Sequence, residues 1–278
     1  MLRLKNLHQP ASLREAIDLL GSGVAPIAGG TDFCVNPRFQ TGIEEVVDLR
    51  RCGLSWIRRD GGALSIGATT TMHEVATSPV VADVADGILG LAAATCGSPN
   101  VRHVATLGGN SASSLPSADT PAVLLALDAA VVLEGRHGSR EMPLSEFLVG
   151  PGKNCLEDEL LVEFRVPGKH RRGAFQKLGR AADDISLVNA AVAMRLEESF
   201  MFDVRIVAGA VAPVSWRCKR AEAALEGQRP EIELLRHAAR LVVDEIAPIS
   251  DQRATAAYRR RTAAVLVRRA LEQSCALS

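Results

Sequence analysis

The sequence has no Cys-x-x-Cys pair, no His-x-x-x-His pair and no uninterrupted apolar run approaching ~20 residues. Its six cysteines, Cys34, Cys52, Cys96, Cys155, Cys218 and Cys275, are dispersed. That spacing argues against iron–sulfur or zinc ligation by this chain alone. It also argues against a disulfide framework, and a reduced, intracellular setting is expected. Without a long apolar run no membrane span is expected, and Met1-Leu-Arg-Leu-Lys-Asn-Leu-His8 lacks the apolar core of a signal peptide, so the expected localisation is cytoplasmic. Lysine is sparse: Lys5, Lys153, Lys169, Lys177 and Lys219. Acidic and basic side chains number 32 each, giving zero net charge over 278 residues. A broad nucleic-acid surface or a polybasic membrane anchor is therefore not expected. Gly-x-Gly-x-x-Gly and Gly-Lys-Ser/Thr are both missing, which sets aside the Rossmann fingerprint and the Walker A loop. Ser111, Ser113 and Ser114 lie outside any Gly-x-Ser-x-Gly elbow, and the histidines are scattered. A chain without its own nucleophile, acid–base pair or metal ligands leaves its chemistry to a cofactor.

What is present is a pair of glycine turns about eighty residues apart, Ala28-Gly29-Gly30-Thr31-Asp32 and Thr106-Leu107-Gly108-Gly109-Asn110. Each follows an apolar or β-prone approach (Val24 to Ile27; Val101 to Leu107) and leads into small polar residues. Adjacent glycines tolerate positive φ and leave no Cβ in the way, so their N–H groups can converge on an anion. Two such turns point to the two phosphates of a dinucleotide. Ordinary strand-to-turn junctions are the competing reading.

Along the chain, Ser12-Leu-Arg-Glu15 has the form of a capping box opening a helix through Leu20. Val24 to Ile27 reads as a buried strand, with further strands at Glu45 to Leu49 and Ala63 to Ala68. Ser78 to Thr95 reads as helical, as does Ala118 to Leu127. Strands follow at Ala129 to Leu133, Leu160 to Val166 and Ala174 to Leu178, with a turn at Pro167-Gly168-Lys169-His170 as the candidate boundary. Beyond it, Ser186 to Leu196 and Phe202 to Val211 form a predicted hairpin. Helices then run over Lys219 to Leu225, Glu231 to Asp244 and Asp251 to Gln273. The arginines of the last helix read as a solvated face, with nucleic-acid binding as the lesser alternative.

Several single residues carry two readings. Asp119 either caps the helix it opens or accepts from a ribose hydroxyl. Lys177 is either a donor to a phosphate or flavin oxygen or a solvated strand lysine. Asp183 and Asp184 are either a turn or part of the site, and His103 is a cofactor contact or a surface histidine.

In this order and spacing the motifs resemble the FAD-binding medium subunit of the molybdenum hydroxylases, the xanthine dehydrogenase and aerobic carbon monoxide dehydrogenase family. The resemblance rests on Ala28-Gly-Gly-Thr-Asp32, Thr106-Leu-Gly-Gly-Asn110, Pro116-x-x-Asp119-x-Pro121, Glu159-Leu-Leu161, Phe175-x-Lys177-x-x-Arg180, Asp184-Ile185 and Asp251-x-Arg253-Ala-Thr255-x-x-Tyr258. It implies a mixed α+β and α/β fold. A two-part amino-terminal FAD-binding domain of PCMH type would span 1–168 (parts about 1–55 and 56–168). A carboxy-terminal domain of antiparallel sheet plus helices, 171–278, would cover the flavin. It implies FAD contacts from Pro26, Ile27, Ala28, Gly29, Gly30, Thr31, Asp32 and Phe33, and from Ala105, Thr106, Leu107, Gly108, Gly109 and Asn110. Asp119, Leu161, Lys177, Asp183 and Ile185 complete the implied set. The implied role is FAD-carrying electron transfer, from iron–sulfur clusters on a partner chain to an external acceptor. A large subunit with the molybdopterin cofactor and a small subunit with 2Fe-2S clusters would complete a heterotrimer or a dimer of heterotrimers. A stand-alone flavoenzyme and a non-catalytic nucleotide-binding assembly subunit are the alternatives. One departure is Gly150-Pro-Gly-Lys153-Asn154, where relatives carry Gly-x-x-Lys-Thr.

Overall fold

The structure, a computed structural model, describes residues 4–168 and 172–276, so the candidate boundary at Lys169 and His170 lies outside the described residues. Three layers stack along the chain, each with its own reason for forming. In the first, the Ser12 hydroxyl accepts from the Glu15 N–H at 3.2 Å and caps the Leu13–Asp18 helix. The Glu15 carboxylate returns to the Ala11 N–H at 2.8 Å, one residue before the position expected of a capping box. This helix covers a three-stranded parallel sheet, ordered Asn6–His8, Glu45–Asp48, Val24–Ile27. Parallel neighbours need crossover connections, which is why helical turns separate these short strands. Val24–Ile27 is half-buried rather than the buried strand predicted, because it is an edge strand that borders an open cavity.

The second layer is a five-stranded antiparallel sheet ordered Ile57–Asp60, Ala63–Gly67, Glu159–Val166, Ala130–Gly135, Gly138–Pro143. Its central strand is buried on both faces at first. Leu160 and Val162 pack with Ala16, Ile17 and Val47 of the first layer, while Leu161 joins the helical core on the other side. A bulge between Leu161 and Glu163 then shifts the alternation by one residue. Phe164 and Val166 thereby stay in the core, and Glu163 and Arg165 turn outward, 3.1 Å apart as an ion pair.

The third layer is a four-stranded antiparallel meander: Arg172–Leu178, Val188–Glu197, Phe200–Gly209 and Trp216–Arg217. The predicted hairpin forms, with Glu198 and Ser199 both at positive φ (49° and 69°), as a type I′ turn requires. One face of the meander packs under Lys219–Leu225, Ile232–Glu245 and Ala256–Ser274. The other face offers Phe175, Ala191, Ala193 and Val207 to the core of the second layer.

Three further expectations are corrected. The second glycine segment is not a turn after a strand: Val101 lies in the short helix Pro99–Arg102, and Leu107–Ala112 is itself helical, capped by Thr106. The predicted helix from Ser78 to Thr95 is broken into Pro79–Ala82 and Ile88–Ala94, because Ala85, Asp86 and Gly87 all take positive φ. Asp119 makes no cap hydrogen bond on Asp119–Ala126, since its carboxylate is drawn away to the third layer. The strands Asn6–His8, Ile57–Asp60 and Gly138–Pro143 and the helix Met72–Thr77 escaped the sequence reading. They are three to six residues long and mostly polar at the edges, too short for a period to register.

Two consequences are measurable. Thr71 and Glu74 form a reciprocal capping box on Met72–Thr77, so Thr71→Ala is expected to cost about 1 kcal/mol of stability in a denaturant titration. Arg259, only 4% exposed, donates to the carbonyls of Leu187 and Ala210 and to Asp251 at 2.8 Å. Burial pushes the Asp251 carboxyl up, but the N–H groups of Arg253 and Ala254 and the Arg259 guanidinium outweigh it and bring it down to about 2. A carboxylate depressed on folding contributes stability above its unfolded value, and that contribution is lost as pH falls through its folded value. Asp251→Asn should therefore lower the melting temperature near neutral pH and flatten the loss of stability between about pH 4 and about pH 2. Thermal denaturation across that range is the check.

Candidate functional site

The three layers leave a cavity of about 610 Å³ between them, within the ~300–1,000 Å³ span of small-molecule and cofactor sites. The first glycine segment forms one wall, from Pro26 and Ile27 through Ala28, Gly29, Gly30, Thr31 and Asp32 to Phe33. Ala105, Thr106, Gly109 and Asn110 form the facing wall. Asp119 and Lys177 stand between these walls and the third layer, and Asp183 and Ile185 lie along a loop at its border. Leu107, Gly108 and Leu161 do not line it. Leu107 is fully buried, Leu161 packs beside Phe164, and Gly108 lies against Ala68.

The glycines are needed for different reasons. A Cβ on Gly29 would stand 1.9 Å from the Val104 carbonyl oxygen, so only glycine lets these two stretches of backbone meet. Gly30 takes φ +66°, the left-handed conformation that turns the chain into Thr31–Val35. A Cβ on Gly108 would be 2.6 Å from the Ala68 carbonyl oxygen, which makes it a packing glycine. Gly109 faces the cavity and presents bare backbone there.

Hydrogen-bond accounting separates the two segments further. Leu107 N–H donates to Thr70 O at 2.9 Å, Gly108 N–H to Ala68 O at 2.8 Å, Gly109 N–H to Thr106 Oγ1 at 3.1 Å and Asn110 N–H to Thr106 O at 3.0 Å. From Leu107 to Asn110 the second segment therefore has its N–H groups paired within the protein, leaving fewer of them for an anion than the sequence reading expected. In the first segment, the N–H groups of Gly29 to Phe33 find no acceptor among the described residues. The Asp32 carboxyl beside them is raised above its ordinary range by burial, with a hydrogen bond from Ser113 opposing the shift.

Where the layers meet, Lys177 Nζ donates to Asp119 Oδ2 at 2.7 Å and to Thr95 O at 2.7 Å. The other carboxylate oxygen, Asp119 Oδ1, accepts from Ser186 Oγ at 2.5 Å and Asn189 Nδ2 at 2.9 Å. The two charged side chains are 5% and 9% exposed, so Lys177 is neither solvated nor free. Ser186, Asn189 and Ser113 were missed in the sequence; their partners lie 67, 70 and about eighty residues away, beyond any local pattern. His103 is exposed, stacks on His73 with ring centroids 4.0 Å apart, and takes no part in the cavity. Burial pushes the cavity-lining Cys96 thiol up to about 11, which keeps it neutral and unreactive at ordinary pH. At the departure from the relatives' loop, Asn154 Nδ2 donates to Ala112 O at 2.6 Å and so ties that loop to the second glycine segment.

Two family models account for nearly all of the chain. The FAD binding domain in molybdopterin dehydrogenase matches residues 3–169, and the CO dehydrogenase flavoprotein C-terminal domain matches 173–274. The carbon monoxide dehydrogenase medium chain of Hydrogenophaga pseudoflava is 33% identical, with 97% of this chain and 96% of that one covered. The putative xanthine dehydrogenase FAD-binding subunit of Escherichia coli K12 is 29% identical over 99% of this chain and 98% of its own. A solved carbon monoxide dehydrogenase from Hydrogenophaga pseudoflava, lacking the Mo-pyranopterin moiety of its cofactor, superposes with a TM-score of 0.93 at 34% identity, covering 99% and 98% of the two chains. With an FAD-binding domain followed by the matching flavoprotein domain, the chain belongs to the family of FAD-binding medium subunits of the molybdenum hydroxylases, which are oxidoreductase subunits.

Proposed function

We propose that the cavity holds FAD and that this chain is the electron-transfer subunit of a multi-subunit molybdenum hydroxylase. Electrons would enter from iron–sulfur clusters on a small partner subunit, downstream of a large molybdenum-binding subunit, and leave to an external acceptor. Bound FAD takes up electrons singly or in pairs and so matches one-electron donors to a two-electron acceptor.

The chain's own residues supply what such a cofactor needs. The unpaired N–H groups of Gly29 to Phe33 offer donors to a pyrophosphate, and the close approach of Gly29 to Val104 aligns them. This is the observation that carries the reading. Gly109 lets a ligand lie directly against backbone, and Lys177 places a positive charge on the wall. Asp183 and half-exposed Ile185 mark the border where an acceptor approaches.

The division into a two-part FAD domain, 1–168, and a covering domain, 171–278, belongs to the same proposal, as does assembly into a heterotrimer or its dimer. Among the described residues no helix is long and apolar enough to cross a membrane, and all six cysteines are free. A cytoplasmic setting accords with those free thiols.

The purified chain should show oxidised-flavin absorption and release near-stoichiometric FAD on denaturation, identified by chromatography. Gly29→Ala forces the Val104 carbonyl aside and should cut retained FAD about tenfold or more, with the circular dichroism of the native fold preserved. A folded Gly29→Ala chain with full FAD content would remove the first glycine segment from the site.

A further inference from the structure

The cluster between the layers contains two residues that touch nothing in the cavity yet decide what faces it. Ser186 and Asn189 are 1% and 0% exposed and lie off the cavity wall, whereas Asp119 and Lys177 lie on it. Both donate to the same oxygen, Asp119 Oδ1, and so fill its two lone-pair directions. Asp119 is thereby held with its second oxygen toward Lys177 Nζ. The ammonium spends a second proton on the carbonyl of Thr95, at the C-terminal end of Ile88–Ala94, where the helix carries partial negative charge. An ammonium has three protons, so one remains for whatever occupies the cavity.

Asn189 makes this arrangement at a cost to itself. Its own Oδ1 is buried without a hydrogen-bond partner among the described residues, pressed near Gly209, where a Cβ would come within 2.2 Å of that oxygen. An unpaired buried carbonyl is unfavourable, and the amide accepts it in order to present Nδ2 to Asp119. Gly209 is then required to make room. A bland core would place an apolar residue at position 189; the structure instead keeps an amide whose Nδ2 donates to Asp119 Oδ1 at 2.9 Å and to Ala118 O at 3.4 Å while its Oδ1 goes unpaired.

We propose that Ser186 and Asn189 are positioning residues that act through Asp119 to hold Lys177, charged and with one proton free, against the cofactor. Asp119 then serves the site through its grip on Lys177. The inference rests on the reading that the cavity holds FAD.

The test is FAD titration of the deflavinated full chain, with the flavin midpoint potential measured on the reconstituted protein. Ser186→Ala and Asn189→Ala are each compared alone and combined with Lys177→Met. Each single variant should weaken FAD binding about tenfold and shift the potential in the same direction as Lys177→Met. In the Lys177→Met background the same substitutions should add less than about twofold, because the residue they act through is gone. Ser186→Thr keeps the hydroxyl and should restore most of the affinity. Two independent variants keep the test open if one does not fold, as judged by circular dichroism and melting temperature. Effects that simply add to those of Lys177→Met, or single variants that melt lower but bind FAD with unchanged affinity and potential, would overturn the inference and leave a structural cluster. A wild-type chain that takes up no FAD would instead overturn the underlying reading.

Discussion

The buried ion pair between Asp119 and Lys177 is the contact on which the arrangement of layers depends. Each charge alone would be expensive to remove from water, and their attraction offsets that only because further groups complete the set. Those groups come from both sides of the contact: Thr95 and Asp119 from the ends of Ile88–Ala94 and Asp119–Ala126, Lys177, Ser186 and Asn189 from the third layer. Docking the layers with either partner missing would bury a carboxylate or an ammonium uncompensated. The pair therefore ties cavity formation to docking of the third layer, and it puts a fixed charge on the wall at the same time.

Around that tie the apolar contacts are arranged so that strands serve two cores at once. Glu159–Val166 faces the first layer with Leu160 and Val162 and the helical core with Leu161 and, after its bulge, Phe164 and Val166. Val188–Glu197 does the same with small side chains, giving Ala190 and Val192 to its own helices and Ala191 and Ala193 to the neighbouring layer. Ala191 and Ala193 on that second face allow Asp119–Ala126, itself buried along its whole length, to lie close against the sheet. Rigid two-sided packing of this kind keeps the walls of an open cavity from collapsing into it.

The glycines show why similar motifs differ in what they do. Two Gly-Gly pairs are indistinguishable by composition, yet one holds its N–H groups open and the other spends both on Ala68 O and Thr106 Oγ1. The difference arises because Leu107–Ala112 is a helix start docked on the end of a neighbouring strand, whereas Gly29 and Gly30 lead from an edge strand into a short helix whose first N–H groups face no acceptor among the described residues. Gly109 of the second pair borders the cavity, and the first pair leaves its N–H groups unpaired there.

Local chemistry was readable in the chain itself. The Ser12 cap, the strands at Val24–Ile27 and Glu45–Asp48, the long hairpin and the carboxy-terminal helices follow from side-chain period, turn residues and capping hydroxyls, which act over a few residues. The order of the motifs was enough to place the chain in its family, and most of the residues it marked line the cavity. The rest was settled by contacts between distant segments. The fate of Asp119, the burial of Lys177, the helical form of Thr106 to Ala112 and the roles of Ser186 and Asn189 all depend on partners up to 82 residues away. A carboxylate at a helix start looks the same in sequence whether it caps that helix or reaches across to a lysine. Only the packing of one layer on another brings the stronger partner within reach.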